Sequence, residues 1–362
     1  MREFEKWDVE FRKQNLYVFN GNEKALLWLK VRAVCRAKLL GDFLSQNKLT
    51  LKSKKVSEKN EELFCLLEKN KCAMKMLDTF LSNESNEWYQ KMGVNETTLK
   101  EDLYKVRSYE WGGDQNNSLD KFLVRHYVKE ICSYETLVGK KDEIAINAWN
   151  YVQTSWYNNW TSYLIESLFK KHHKVISAVG EIKSVDFFIN EIPVDLKVTF
   201  FPNQYMAEKV KEKLGKSELI WLKSKAREYG ISFDEGMTDS QLKYALIEKF
   251  KERKLNDPID MLRNVHRNIV LESQKNPKSL IQWLYENQGE MRFGAENRLF
   301  LVLVDLFDID LSWKMKRNFT RIEPVVQNYL KKVSKNSFKE INFFFKKQSY
   351  KCLSDILFVL ND

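Results

Sequence analysis

The amino-acid sequence predicts an α/β fold, in which a mixed sheet is flanked by helices and joined to a large helical N-terminal domain and a helical insert. Three observations support this fold class. Short apolar runs typical of buried strands fall near residues 175–201 and 297–360. Most of the remaining chain has the spacing of helices with one buried face. Only 12 Gly and 5 Pro occur in 362 residues, which favours helices.

Residues 1–140 are predicted to form the helical N-terminal domain. Residues 25–40 place Leu, Val and Trp side chains on one helix face, and residues 63–77 and 119–131 repeat this pattern. Residues 111–117, with two Gly and two Asn, are expected to be a loop, and Ser118 is the expected N-cap of the following helix.

The predicted core of the fold is discontinuous. Its first part, residues 141–204, begins with one long helix, and its second part is residues 290–362. Strands are predicted at residues 175–179, 185–189, 192–201, 297–305 and 354–360, and a helix at 321–333. Between the two parts lies a helical insert, residues 205–289, with two helices predicted within 219–250.

One predicted hairpin brings charged side chains together. If Asn190 and Glu191 form a two-residue turn, Asp186 and Asp195 lie at equal distances from it and face each other, with Cβ atoms about 5 Å apart. The buried face of the second strand would carry Val194, Leu196, Val198 and Phe200. Asp195, Lys197 and Thr199 would share the opposite face with Asp186.

Two carboxylates and an ammonium group on one patch of sheet favour a metal-dependent chemistry. Carboxylates this close repel each other, and a divalent cation between them removes the conflict. Hard oxygen ligands with room for water suit Mg²⁺, which lowers the pKa of a bound water that Lys197 can orient. The alternative is a surface hairpin with three ordinary charges, because acid-x-Lys triplets also occur at Glu181 and Glu252.

The segment from Ser184 to Phe201 resembles the PD-(D/E)xK nuclease superfamily, to which most type II restriction endonucleases belong. The resemblance implies a restriction-endonuclease-like core in which Asp186, Asp195 and the carbonyl of Leu196 bind Mg²⁺, while Lys197 acts on the attacking water. Ser184-Val185 stands where the family's proline would precede the first acid.

The same resemblance suggests a further acid and a reaction product. Many family members add a glutamate from the helix before the first strand, and Glu166 lies there beside an apolar stripe. A solvated helical glutamate is the alternative. The resemblance implies products with a 5′-phosphate and a 3′-hydroxyl.

The charge balance agrees with a polyanionic partner. The formal net charge is +10, which suits double-stranded DNA, although a basic protein without such a partner is the alternative.

Recognition of the DNA would come from the N-terminal domain or from the insert, which faintly resembles SAP or helix-extension-helix modules. The basic residues that would contact phosphates are Lys209, Lys211, Lys213, Lys216, Lys223, Lys225 and Arg227 in the insert, and Lys314, Lys316, Arg317 and Arg321 after it. Trp149, Trp156 and Trp160 are expected in the core, with base stacking as the alternative.

The sequence thus predicts a magnesium-dependent endonuclease that cleaves double-stranded DNA, of the type II restriction kind and homodimeric by family analogy. The alternatives are a structure-specific or repair nuclease, a non-catalytic DNA-binding protein that retains the fold, and a helical interaction protein. Five cysteines without metal-site spacing are expected to be reduced and buried, which favours the cytoplasm. The longest apolar runs are too short for a membrane span.

Overall fold

The computed structural model describes residues 2–109, 118–182, 184–287, 295–345 and 347–362. Within these residues the chain is a mixed α/β protein, in which six strands form one open sheet with helices on both faces. The α/β class predicted from the sequence is therefore confirmed. The predicted loop at 111–117 lies outside the described residues. No described helix is long and apolar enough to cross a membrane.

Helices make up most of the described chain. The N-terminal region contains α1 (Glu3–Arg12), α2 (Glu23–Ala33), α3 (Ala37–Gln46), α4 (Val56–Glu68), α5 (Ala73–Met92), α6 (Glu96–Leu103), α7 (Leu119–Leu123) and α8 (Tyr134–Gly139). The long helix is α9 (Lys141–Lys170). The later helices are α10 (Asn203–Leu214), α11 (Glu218–Glu228), α12 (Asp239–Glu252), α13 (Asn256–Lys275), α14 (Lys278–Asn287) and α15 (Phe319–Lys332).

Local sequence features account for several helix ends. The side chain of Asn22 accepts a hydrogen bond from the Ala25 amide at the start of α2. Thr238 and Gln241 form a capping box at the start of α12. Gly93 ends α5 with a φ of 60°, a conformation in which glycine has no steric penalty. These features are encoded locally in the sequence and mark where the helices begin or end.

The sheet has the strand order β1-β2-β3-β4-β6-β5. Its strands are β1 (Val175–Ile182), β2 (Val185–Ile189), β3 (Ile192–Phe200), β4 (Arg298–Asp305), β5 (Lys339–Phe345) and β6 (Gln348–Asn361). Strands β3, β4 and β6 run parallel to one another, whereas the β1–β2, β2–β3 and β5–β6 pairs are antiparallel. All six described strands lie in the two segments that the sequence assigned to the core.

The two faces of the sheet bury different clusters of side chains. On one face, residues of β2, β3 and β4 pack against α9 and α15. On the opposite face, α2 and α5 cover β1 and β2, whereas α10, α13 and α14 cover β4, β5 and β6. Alternation within β4 shows the division, because Leu299 and Leu301 join the first cluster while Phe300 joins the cluster on the other face.

The central strand β3 separates the two clusters on that second face. Its residues Asp195, Lys197 and Thr199 alternate with Val194 and Leu196, which are buried on the α9 side. Neither cluster of the second face contains a residue of β3. We call Asp195, Lys197 and Thr199 the β3 seam, a polar strip between two apolar clusters.

Several predicted features are wrong in detail. Residues 63–77 form parts of α4 and α5, with a break between them, rather than one helix. Strand β5 was not predicted, and β6 begins six residues earlier, at Gln348, than the predicted strand at Ser354. The cysteines are free, yet Cys65, Cys72 and Cys132 are exposed rather than buried.

The expectation that the tryptophans of α9 face the core is also wrong for two of the three. Trp149 is 63% exposed and Trp156 is 37% exposed, whereas Trp160 packs against the core beneath α9. The buried residues of α9 begin at Thr154, so its first 13 residues contain no fully buried side chain. The helical spacing is correct, and the buried face begins only at Thr154.

Candidate active site

The β2–β3 hairpin has the register that the sequence predicts. Phe187 pairs with Val194, and Ile189 pairs with Ile192. The turn residues Asn190 and Glu191 have φ values of 48° and 66°. Positive φ at both positions is the geometry of a two-residue hairpin turn that matches strand twist.

Asp186 lies where the main-chain pairing of this hairpin ends. Its Oδ2 accepts a hydrogen bond from the Leu196 amide at 2.7 Å, so the carboxylate takes the place of a main-chain acceptor. Burial, followed by the charge of Asp195, raises the pKa of Asp186 to about 6. The two acids are thus close enough to interact electrostatically, as the predicted pairing requires.

Asp195 is buried in the β3 seam beside a lysine that reaches solvent. The Asp195 side chain is 8% exposed, and its Oδ1 accepts a hydrogen bond from Lys197 Nζ at 3.0 Å. The Lys197 side chain is 42% exposed, so its ammonium group faces both the acid and water. Burial raises the pKa of Asp195, and the charge of Lys197 partly opposes this rise.

Glu166 approaches these residues without joining them in one cluster. It accepts a hydrogen bond from Lys170 Nζ at 2.8 Å, one turn further along α9. Its charge contributes to the raised pKa of Asp186, so the two carboxylates interact at a distance. Within the described ranges, no group of three His, Cys, Asp or Glu side chains is close enough to hold a metal ion. The structure thus places Asp195 within hydrogen-bond distance of Lys197 and close enough to Asp186 to raise its pKa, whereas Glu166 has only a smaller electrostatic effect on Asp186.

The residues present fit a magnesium ion that keeps part of its water shell. Mg²⁺ in enzymes is often held by only one or two carboxylates, with water and substrate phosphate completing the octahedron. Asp186 and Asp195 supply two such carboxylates. Asp195 Oδ2 is buried and accepts no hydrogen bond from the described residues, and its ion-pair contact is Arg298 Nε at 3.4 Å. A buried carboxylate oxygen that accepts no hydrogen bond is costly, and a bound divalent cation would reduce this cost.

Three polar residues at the start of β4 were not predicted as part of the site. Arg298 pairs with Asp195 in the parallel β3–β4 register, and its Nε lies 3.4 Å from Asp195 Oδ2. Glu296 accepts hydrogen bonds from Arg298, and the Asn297 carbonyl accepts one from the Asp195 amide at 2.9 Å. The sequence does show a polar Glu-Asn-Arg triplet directly before a buried apolar strand.

Asn297 fixes the beginning of β3 through its side chain. Its Nδ2 donates hydrogen bonds to the Pro193 carbonyl at 3.1 Å and to Asn20 Oδ1 at 2.7 Å. Its Oδ1 accepts one from the Leu353 amide on β6 at 2.9 Å. Three separate parts of the chain therefore meet at the end of β3 that carries Asp195.

The second predicted group of phosphate-binding residues is partly wrong. Lys316 and Arg317 are buried, with 9% and 7% of their surface exposed. Lys316 donates to Asn158 Oδ1 at 2.7 Å, and Arg317 donates to the carbonyls of Leu103 and Val106. These cations hold α9 and the segment after α6 in place, so they do not present charge to a phosphate backbone.

The helical insert has a core of its own. Apolar side chains of α11 and α12 are buried together, including Leu222, Ala226, Leu242, Leu246 and Phe250. Several of its lysines pair with glutamates at the surface, among them Lys209 with Glu212 and Lys225 with Glu228. This packing agrees with a small helical module, and its partner remains a prediction.

His172 and His173 lie directly after α9 and stack with ring centroids 4.4 Å apart. They belong to no metal-binding group among the residues described.

Comparisons of the chain with family models, curated proteins and solved structures found no match.

Proposed function

We propose that this protein is a magnesium-dependent endonuclease that cleaves double-stranded DNA, with a restriction-endonuclease-like core of the PD-(D/E)xK kind. The observation that carries the proposal is the position of Asp195 between Asp186 and Lys197 at the open end of one hairpin, where one of its carboxylate oxygens is buried and accepts no hydrogen bond from the described residues. Such a cluster is costly for folding alone, which favours a functional reason for it.

Each residue has a chemical task in this proposal. Asp186 and Asp195 would hold the cation with their carboxylates, and the resemblance adds the Leu196 carbonyl. When bound, Mg²⁺ supplies charge neutralisation at the phosphate and lowers the pKa of a bound water. Lys197, fixed by Asp195 and open to solvent, would orient the attacking water with its N–H groups. Glu166 would adjust the charge around Asp186 from α9.

The test is cleavage of several supercoiled plasmids by the purified protein with Mg²⁺ and with EDTA. We expect cleavage only with Mg²⁺, and a loss of about a hundredfold or more in Asp186→Asn, Asp195→Asn and Lys197→Ala. Matched controls are Glu252→Gln and Lys254→Ala, which alter an exposed acid-x-Lys triplet at the end of α12. Full activity in any of the three site variants would remove that residue from the proposal.

The cleavage pattern separates the two kinds of nuclease. Discrete bands that are shared by plasmids carrying a common short sequence support a type II restriction endonuclease. A smear, or a preference for branched DNA, supports a structure-specific or repair nuclease. Binding of DNA that is sensitive to salt and unchanged in Asp195→Asn, with no cleavage in the wild type, supports a non-catalytic DNA-binding protein.

We further propose that the protein acts as a homodimer that is joined through the N-terminal half of α9. Ile146, Trp149 and Val152 are 59%, 63% and 51% exposed and lie on one face of the helix together with Trp156. Residues 144–165 contain no charged side chain, although the chain has a net charge of +10. Two copies of such a stripe can bury their apolar side chains against each other, and no like charges along the stripe oppose this contact.

A further inference from the structure

A buried ion pair lies one strand away from the candidate metal site. Arg298 begins β4 in register with Asp195, and its side chain is 7% exposed. Glu296, two residues earlier, is 1% exposed. Arg298 donates to Glu296 Oε2 from Nη2 at 2.8 Å and from Nε at 3.1 Å. Nothing in the proposed cleavage chemistry requires this pair.

The guanidinium group of Arg298 lies near two acids but forms hydrogen bonds with only one of them. Both of its hydrogen bonds go to Glu296, while its Nε remains 3.4 Å from Asp195 Oδ2 without forming a hydrogen bond there. Asp195 Oδ2 is therefore buried beside Arg298 in an ion pair, yet it accepts no hydrogen bond from the described residues. Glu296 Oε1 is likewise buried and has no hydrogen-bond partner in the described part of the chain.

The ring of Tyr285 contacts Arg298, and its hydroxyl group contacts the main chain of Glu296. The guanidinium group lies 4.9 Å from the centroid of the Tyr285 ring, a favourable cation–π distance. The Tyr285 hydroxyl group donates to the Glu296 carbonyl at 2.8 Å. Tyr285 thus braces both members of the pair from α14.

An arginine beside a carboxylate normally closes on it, because its planar fork matches the two carboxylate oxygens. If Arg298 closed on Asp195, it would donate a hydrogen bond to the oxygen that a cation needs and bring its positive charge closer than the present 3.4 Å. Glu296 competes for the same guanidinium group, and in the structure Glu296 holds it.

We propose that Glu296 is a positioning residue: by accepting both hydrogen bonds of Arg298, it keeps the guanidinium group from donating to Asp195 Oδ2, so that this oxygen can bind a divalent cation. This inference rests on the proposed function, since it assumes that Asp195 binds the cation. It assigns opposite effects to the two members of one ion pair. Loss of Glu296 frees Arg298 to block the site, whereas loss of Arg298 leaves the site open.

The test measures binding of Mn²⁺ in place of Mg²⁺, without DNA, from the electron paramagnetic resonance signal of free Mn²⁺. We expect Glu296→Gln to weaken Mn²⁺ binding by about tenfold or more. This is the size of effect found for residues that orient the ligands of a metal ion. Arg298→Met and the double variant should stay within about threefold of the wild type or bind more tightly. A purely structural ion pair predicts that both single variants lose binding alike, because each leaves a buried charge unpaired.

Two further comparisons keep the outcomes separate. If Asp195→Asn binds Mn²⁺ as well as the wild type does, Asp195 is not a cation ligand and the proposed function fails together with this inference. If Asp195→Asn loses binding while Glu296→Gln keeps it, only the role of Glu296 is overturned. Thermal unfolding shows which variants fold. If Glu296→Gln does not fold, the double variant takes its place in the test, because it leaves neither charge of the ion pair buried. Failure of a folded double variant to bind Mn²⁺ would then overturn the inference.

Discussion

At the scale of single residues, burial of the ionised Asp186 carboxylate is expected to lower the free energy of unfolding, and this effect can be measured. The pKa of Asp186 is raised from 3.8 to about 6, chiefly by burial. Between those values the folded protein keeps a proton that the unfolded chain has lost, so the stability contributed by this group is present at low pH and is lost as the pH rises through 6.

We therefore expect Asp186→Asn to be more stable than the wild type above pH 6 by about 1–3 kcal/mol, without divalent cations, and equal to it near pH 4. Asparagine keeps an oxygen for the Leu196 amide, so that hydrogen bond is retained. Urea unfolding with EDTA at a series of pH values measures the difference.

The control for this prediction is Glu191→Gln in the turn of the same hairpin. The Glu191 side chain is 51% exposed and pairs with Lys335, so its loss is expected to change stability by less than about 1 kcal/mol. A gain in Asp186→Asn that is the same at every pH would contradict the argument, because it would not come from a bound proton.

At the scale of elements, the β2–β3 turn sets the register that brings the acids together. Glu191 has a φ of 66°, which costs a residue with a Cβ more than it costs glycine. We expect Glu191→Gly to raise the free energy of unfolding by about 0.5–1 kcal/mol relative to Glu191→Ala. Urea midpoints with an unchanged denaturant slope measure this difference.

The matched pair isolates the backbone term, since both variants lose the same exposed contact with Lys335. Cation binding and plasmid cleavage should be unchanged in both, because the turn lies at the opposite end of β2 from Asp186. If alanine is as stable as glycine at this position, the turn stores no strain and its register comes from strand packing alone.

The same hairpin indicates what sequence can predict. A short turn and alternating side chains are local features, so the facing positions of Asp186 and Asp195 follow from the residues between them. Arg298 is different, because it meets Asp195 through parallel pairing of β3 with β4 after the whole helical insert. Periodicity predicts both strands without predicting which strands are neighbours.

Edge position explains the strand that was missed. In β5 only Ile341 and Phe343 are buried, as expected at an edge where one side has no neighbour. The early residues of β6, from Gln348, pair with β5 and are largely exposed for the same reason. β1 at the other edge was predicted, because its apolar residues are buried on both faces of the sheet. An edge strand that is buried on one face carries a weaker apolar pattern.

At the scale of the whole molecule, the length of α9 decides what remains exposed. Thirty residues extend about 45 Å, and the buried residues of this helix begin only at Thr154. A sequence pattern shows that one face is apolar, yet it does not show where the supporting core ends. Trp149 was therefore expected in the core and instead lies in solvent.

That exposed stripe leads to the last prediction. If α9 joins two copies, light scattering after size exclusion should give twice the mass of one chain for the wild type and the mass of one chain for Trp149→Ser. A tryptophan at the centre of an interface contributes about 2 kcal/mol or more, and two-fold symmetry counts the loss twice. The control is Tyr244→Ser, which removes an aromatic side chain that is 68% exposed on α12 and should leave the dimer intact. A wild-type monomer at high concentration would exclude the dimer, whereas a dimer that persists in Trp149→Ser would place the interface elsewhere.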